Sequence, residues 1–232
     1  MPRMTDRLAE NLQRVTTDIS AACTRAGRSP SEVTLVAVTK YTDVAVVQRL
    51  IELGIRDLGE SRPQQLLERS EQLSSDVRWH LIGHLQRNKV KPMLPRTVLI
   101  HSVDSLRLLE RISAIAAELS LRPRVLLEVN VSGEAAKDGI AADELTSQWE
   151  SFQAVSQVDI AGLMTMAPLS DDPEAARPVF RALRQLRDEL ASRSAASVKL
   201  TELSMGMSGD FAVAIEEGAT IVRIGSRLFD GL

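Results

Sequence analysis

Val33-Thr34-Leu35-Val36-Ala37-Val38-Thr39-Lys40 is an almost wholly apolar run that ends on a lysine. A strand with apolar residues on both faces belongs in a parallel sheet covered by helices. Before the run, Leu8, Leu12, Val15, Ile19 and Ala22-Cys23 recur at helical spacing between Thr5 and Ala26, with Gly27 as C-cap and Pro30 beyond. After it, Val44, Val47, Leu50 and Ile51 share a helical face closed by Gly54. The alternation then repeats. Further strands are predicted at 55–60, 78–84, 97–102, 124–130, 159–164, 199–205 and 220–225. Between them the clearest helical patterns are 106–119, 175–190 and 211–217.

Eight strand–helix units within 232 residues predict a closed α/β fold, the (β/α)8 TIM barrel, as a single domain over 1–232. The sequence after the last strand leaves little room for a full helix, so the extra N-terminal helix is expected to help close the barrel. An open doubly wound sheet is the other architecture. It would carry a glycine-rich turn after its first strand, where this chain has Thr39-Lys40-Tyr41-Thr42.

Composition narrows the class. Hydrophobic residues make up 44% and charged residues 25%, ordinary values for a soluble chain. A net charge of −3 argues against broad electrostatic binding to nucleic acid. No apolar run approaches a membrane span, and the N-terminus has no signal-peptide core. The one cysteine, Cys23, has no internal partner for a disulfide and reads as a core residue of the first helix. His80 and His84 lack a third ligand at zinc spacing. Gln86-Arg87-Asn88-Lys89 with Lys91 makes a small basic patch, read as solvated surface or as a place to meet a client protein. The expectation is a cytoplasmic monomer without nucleic-acid or membrane partners.

Chemistry in such a barrel lies at the C-terminal strand ends. Those ends carry Lys40, Glu60 with Ser61, His84, Ser102 with Asp104, Asn130, Met164 with Thr165, Ser204 through Ser208 (Met205 among them), and Arg223 with Gly225 and Ser226. Lys40 and Arg223 are the informative members, because strand-like apolar sequence flanks each. A lysine at a strand tip either escapes to solvent or is held in a pocket, where its amine can attack an aldehyde and form a Schiff base. Arg223 needs acceptors: either a structural salt bridge to Glu202 or Glu128, or a ligand. Ser204-Met205-Gly206-Met207-Ser208-Gly209-Asp210 and Ile224-Gly225-Ser226 offer hydroxyls and free amides after the last two strands, where barrels often hold phosphate. Ser208 would also serve as an ordinary helix N-cap. A lysine, an arginine and a phosphate cradle at one barrel mouth match the needs of pyridoxal 5′-phosphate (PLP).

The segments 35–40, 59–64, 79–89, 162–166, 203–210 and 222–225 resemble those of the pyridoxal phosphate homeostasis proteins, single-domain relatives of the alanine racemase barrel, in order and over nearly the whole chain. The resemblance implies the PLP fold type III barrel. It implies that Lys40 forms the Schiff base, that Arg223 faces the pyridine nitrogen, and that Ser208, Gly225 and Ser226 hold the phosphate. Ser61, His84 and Met205 complete the expected cofactor-binding set. Ser61 stands where the family usually has asparagine. The family implies a role in vitamin B6 and amino-acid homeostasis, without an established turnover reaction; apo PLP-dependent enzymes are the expected partners of a protein that hands the cofactor over.

An arginine is always protonated and donates to the ring nitrogen, which weakens the ring as an electron sink and argues against transamination. Racemisation needs acid–base groups on both faces of the substrate. Tyr41, the only tyrosine, is adjacent to Lys40 and poorly aimed for that task. The expectation is therefore a non-catalytic PLP carrier or buffer. The alternatives are a low-activity racemase, with His84 or a loop cysteine or tyrosine as second base, and a phosphate-binding barrel in which Lys40 acts on a sugar-phosphate carbonyl.

Overall fold

The structure, a computed structural model, describes residues 4–131 and 138–232. Nine strands lie in one parallel system: β1 Thr34–Val38, β2 Asp57–Glu60, β3 Arg78–Leu81, β4 Leu99–Val103, β5 Arg124–Asn130, β6 Ile140–Ala141, β7 Asp159–Met164, β8 Glu202–Ser204 and β9 Ile221–Ile224. The two-residue β6 pairs only with the tip of β5. The other eight run β1-β2-β3-β4-β5-β7-β8-β9, and β9 pairs with β1 through Thr34↔Ile221 to Ala37↔Ile224, which closes the ring. This is a (β/α)8 barrel, and the open-sheet alternative is excluded. All eight expected strands are present. The third stops at Leu81 instead of His84 and the seventh starts at Glu202 instead of Lys199. The third stops early because the chain turns at Gly83, whose carbonyl accepts a hydrogen bond from Ser102 Oγ (2.6 Å) instead of a ladder amide.

The outer layer comprises α1 Met4–Arg25, α2 Val44–Glu52, α3 Pro63–Gln72, α4 Val90–Met93, α5 Leu106–Leu119, α6 Ala142–Ser147, α7 Trp149–Gln153, α8 Arg177–Ser192 and α9 Phe211–Glu216. Amphipathic spacing explains the long ones: Leu108, Leu109, Ile112, Ile115 and Ala116 of α5 are buried, as are Phe180, Leu183, Leu186 and Leu190 of α8. α1 packs beside α9 and binds the C-terminal segment. Asn11 Nδ2 donates to the carbonyls of Leu228 (3.1 Å) and Asp230 (2.9 Å), and Arg227 pairs with Asp18. Cys23 is buried on the inner side of α1. Among the described residues, no helix is long and apolar enough to cross a membrane, and no cluster of three or more metal-ligating side chains occurs.

The barrel interior differs from the layer outside it. Its apolar part is only Val36, Leu99, Leu126, Ala161, Met164 and Ile221. The remainder is polar, with His80, His101, Ser204 and Arg223 all buried. Close backbone approach between β7 and β8 depends on Gly162: a Cβ there would lie 1.9 Å from the Glu202 carbonyl oxygen. Gly162→Ala is expected to cost about 3 kcal/mol of unfolding free energy, read from urea denaturation against the wild-type chain.

Candidate functional site at the barrel mouth

A cavity of about 730 Å³ opens at the C-terminal strand ends, and Lys40, Ser61, Ser208, Arg223, Gly225 and Ser226 line it. Lys40 lies two residues past the end of β1, in the turn Thr39–Thr42, and is half-buried in the cavity wall instead of sealed within the sheet. Its Nζ sits 5.1 Å from the centroid of the Tyr41 ring, which is 84% exposed at the rim.

The turn that carries Lys40 is held from below. Arg69 of α3 donates through Nη1 to the Thr39 carbonyl (2.8 Å) and Glu60 Oε1 (2.5 Å), and through Nη2 to the Thr42 carbonyl. Thr39 Oγ1 also donates to Glu60 Oε1 (2.5 Å), and Gln65 Nε2 donates to the Lys40 carbonyl (3.2 Å). Glu60 and Arg69 are both buried, and Glu60 Oε2 has no hydrogen-bond partner among the described residues. Burial pushes the Glu60 carboxyl up, against the opposing pull of Thr39, Arg69 and Lys40.

Arg223 enters from β9. Its Nη1 donates to Ser204 Oγ (2.6 Å) and its Nη2 to the Thr165 carbonyl (2.9 Å), while its own amide donates to Gly206. None of the ion pairs among the described residues includes it; Glu202 pairs with Arg124 instead. The salt-bridge alternative for Arg223 therefore gives way to neutral acceptors. Burial draws its pKa down to about 10, opposed by the fields of Glu128 and Asp210, so it stays a cation at neutral pH. Glu128 is itself pushed up to about 7, first by burial and then by Asp138 and Asp104, with Arg223 and His84 acting against them.

The last two loops meet at Ser208. Its Oγ accepts the amides of Gly225 (3.3 Å) and Arg227 (3.4 Å), so two backbone donors converge on one oxygen. Ser208 does not cap α9. Asp210 occupies the N-cap position, and its Oδ1 accepts from the Met207 amide (2.6 Å).

Two expected site residues lie elsewhere. Met205 is fully buried and packs in the outer core, because it follows inward-facing Ser204 and successive strand side chains alternate. His84 follows the Gly83 turn and lines a separate depression with Gln86, Arg87 and Arg107, its Nδ1 3.1 Å from Asp104 Oδ2. Conversely, Arg69, His80 and His101 were not singled out for the site from sequence. The two histidines carry a legible signal: each is a polar residue at an inward-facing strand position, beside the buried apolar Trp79 and Leu81 in one case and Ile100 in the other. Arg69 carries none, being one charge among many on a polar helix.

Comparison with known proteins gives the family. The profile of the alanine racemase N-terminal domain matches residues 6–231. A pyridoxal phosphate homeostasis protein of Aquifex aeolicus is 44% identical over 221 residues, covering 95% of this chain and 96% of the relative. The chain belongs to the pyridoxal phosphate homeostasis protein family. A member from Escherichia coli is 33% identical over 96% of this chain and 95% of its own. PipY of Synechococcus elongatus, solved with PLP bound, superposes with a TM-score of 0.83 at 35% identity, covering 96% of this chain and 99% of PipY. An alanine racemase of Clostridium difficile shares the fold, with a TM-score of 0.74 at 17% identity; the alignment covers 96% of this chain and 56% of the racemase.

Removing one partner of a buried pair leaves the other charge uncompensated, so Arg69→Met is expected to destabilise the protein by about 3 kcal/mol, and adding Glu60→Gln to recover much of that loss. Thermal and urea unfolding of the single and double variants measure both. Glu128 gives a pH signature. Its carboxyl binds its proton more tightly folded than unfolded, so its contribution is present below the unfolded value of 4.5 and is lost as pH rises through about 7. Glu128→Gln is expected to match the wild type near pH 5 and to exceed it by about 2 kcal/mol near pH 8, in urea titrations at the two pH values.

Proposed function

We propose that the mouth cavity binds PLP, and that the protein holds the cofactor and hands it on within vitamin B6 and amino-acid homeostasis without turning over a substrate. The observation that carries this reading is a buried arginine held by neutral acceptors, on the wall of a cavity that also presents a lysine and the meeting loops of Ser208, Gly225 and Ser226. The residues fit the group. The cavity falls within the range of about 300–1,000 Å³ usual for small-molecule sites. Ser208 and Ser226 supply hydroxyl donors for a phosphate, with the Gly225 amide joining them once it exchanges Ser208 Oγ for a phosphate oxygen, Arg223 donates to an acceptor such as a pyridine nitrogen, and Ser61 offers a hydroxyl at the wall.

Bound PLP supplies an electrophilic aldehyde. Lys40 offers the primary amine that links to it covalently, with loss of one water. Arg223, always protonated, keeps the ring nitrogen an acceptor and so keeps the ring a poor electron sink. The carboxylates on the cavity wall are engaged elsewhere: Asp210 by Met207, Asp172 by Glu174, and Asp230 by Arg7. Tyr41, the remaining acid–base side chain of the wall, is 84% exposed at the rim and not held inside the cavity, and the pattern favours carriage over racemisation, which needs a second acid or base fixed over the substrate. The rim supports hand-over to apo PLP-dependent enzymes, since Tyr41, Met166 and Leu169 are exposed by 84%, 44% and 95% around the opening. A monomeric, cytoplasmic protein suits this role.

Purified protein incubated with PLP is expected to be coloured and, after borohydride reduction, to carry the cofactor mass on the Lys40 peptide; Lys40→Ala is expected to lose that modification entirely. Unmodified Lys40 in wild type sinks the reading. Loss of the α-deuteron from labelled amino acids, dependent on Lys40, would replace the carrier with a racemase.

A further inference from the structure

Behind Arg223 the barrel interior carries a line of polar groups that cofactor binding as described leaves unused. Arg223 Nη1 is 2.6 Å from Ser204 Oγ, His101 Nδ1 is 2.8 Å from the same oxygen, His101 Nε2 is 2.9 Å from His80 Nδ1, and His80 Nε2 is 3.0 Å from Asp57 Oδ1. Every member is buried: Ser204 and His101 are 0% exposed, His80 and Arg223 4%, and Asp57 9%. The line crosses the barrel from β9 through β8, β4 and β3 to β2, and ends where Arg78 pairs with Asp57.

Proton positions follow from counting donors. A guanidinium has no acceptor, so Ser204 Oγ accepts from Arg223. The serine hydroxyl has one proton, and its other polar contact is His101 Nδ1. That nitrogen therefore accepts, and His101 carries its proton on Nε2, donating to His80 Nδ1. His80 then carries its proton on Nε2 and donates to Asp57, a carboxylate that only accepts. All four bonds point one way, from a cation to an anion. The reverse arrangement would aim two donors at Ser204, strand its hydroxyl proton, and require an imidazolium at His80. Burial, reinforced by His80 and Arg223, holds His101 well below the usual imidazole range, in keeping with a neutral ring.

Bonds aligned in series polarise one another. The line thus connects Arg223 to the anion of Asp57 across the barrel. We propose that Ser204, His101, His80 and Asp57 are positioning residues, a one-directional hydrogen-bond chain that sets the orientation of the Arg223 guanidinium toward the cofactor ring. The inference rests on the PLP reading above.

Histidine labelled with ¹⁵N in the cofactor-free protein reads the proton positions directly. Both buried histidines are expected as neutral Nε2–H tautomers; an Nδ1–H tautomer or an imidazolium at His101 overturns the chain. Two isosteres then separate its ends. His101→Asn keeps an acceptor where Nδ1 sits and still meets Ser204, whereas His101→Gln keeps a donor where Nε2 sits and meets only His80. Release of PLP is expected to be about tenfold faster from His101→Gln, which breaks the chain next to Ser204, and about threefold faster from His101→Asn, which breaks it only on the side of His80 and Asp57. Equal release from the two overturns the positioning role. Should either variant fold poorly, Ser204→Ala makes the same comparison: release about tenfold faster supports the role, and unchanged release refutes it. A wild-type protein that binds no PLP refutes the cofactor reading and the positioning role together, while the tautomer measurement still decides whether the chain exists.

Discussion

The pairing of β1 with β9 is the constraint on which the site depends. It brings Val36 beside Arg223 and Ala37 beside Ile224, so that chain segments near opposite ends of the sequence share one ladder. Without it the sheet would have two edges, and Lys40 and Arg223 would sit at opposite ones. With it, the amine-bearing turn, the buried cation and the converging amides after β8 and β9 stand around one opening. The contact is close: a Cβ on Gly225 would lie 3.2 Å from the Val38 carbonyl oxygen. α1 covers the outside of this seam, with Asn11 and Asp18 holding the segment after β9.

Closure also encloses polar groups at a cost. A buried charge or amide without a partner is expensive, and an apolar interior of the same volume would be at least as stable. This barrel instead satisfies its polar interior almost completely, with Arg69 and Glu60 beneath the Lys40 turn and the serine–histidine line beneath Arg223. Both arrangements hold a side chain at the cavity wall from behind. Fixing donors in advance is what a binding site needs, because the ordering cost is met on folding and not when the ligand arrives. The nature of the cation matters as well. On the proposed reading, arginine at the wall, with neutral acceptors behind it, would suit retention of a ring whose nitrogen stays an acceptor and not heavy electron withdrawal.

Much of the site was legible from the strand-end rule alone. Lys40, Ser61, Ser208, Arg223, Gly225 and Ser226 all line the cavity, because residues just past the strands of a closed parallel barrel can hardly lie anywhere else. The rule failed where strand ends were misplaced or parity was ignored. His84 follows a strand that stops at Leu81, and Met205 alternates outward from Ser204. The role of Ser208 was half legible: its hydroxyl is used, but on the neighbouring loop instead of on the helix that follows.

Sequence alone determined the eight strands, most helices and the class of fold, since these follow from local apolar periodicity and from punctuation by glycine and proline. It also marked Lys40 and Arg223, because a charge within or at the end of an apolar run is conspicuous without any knowledge of its neighbours. Only the tertiary structure decided that Arg69 reaches under the Lys40 turn, that Glu60 is its partner, and that His80 and His101 join Arg223 to Asp57. Those contacts cross the barrel or span distant elements, and no local pattern encodes which polar residues will face one another once a sheet has curled through a full turn.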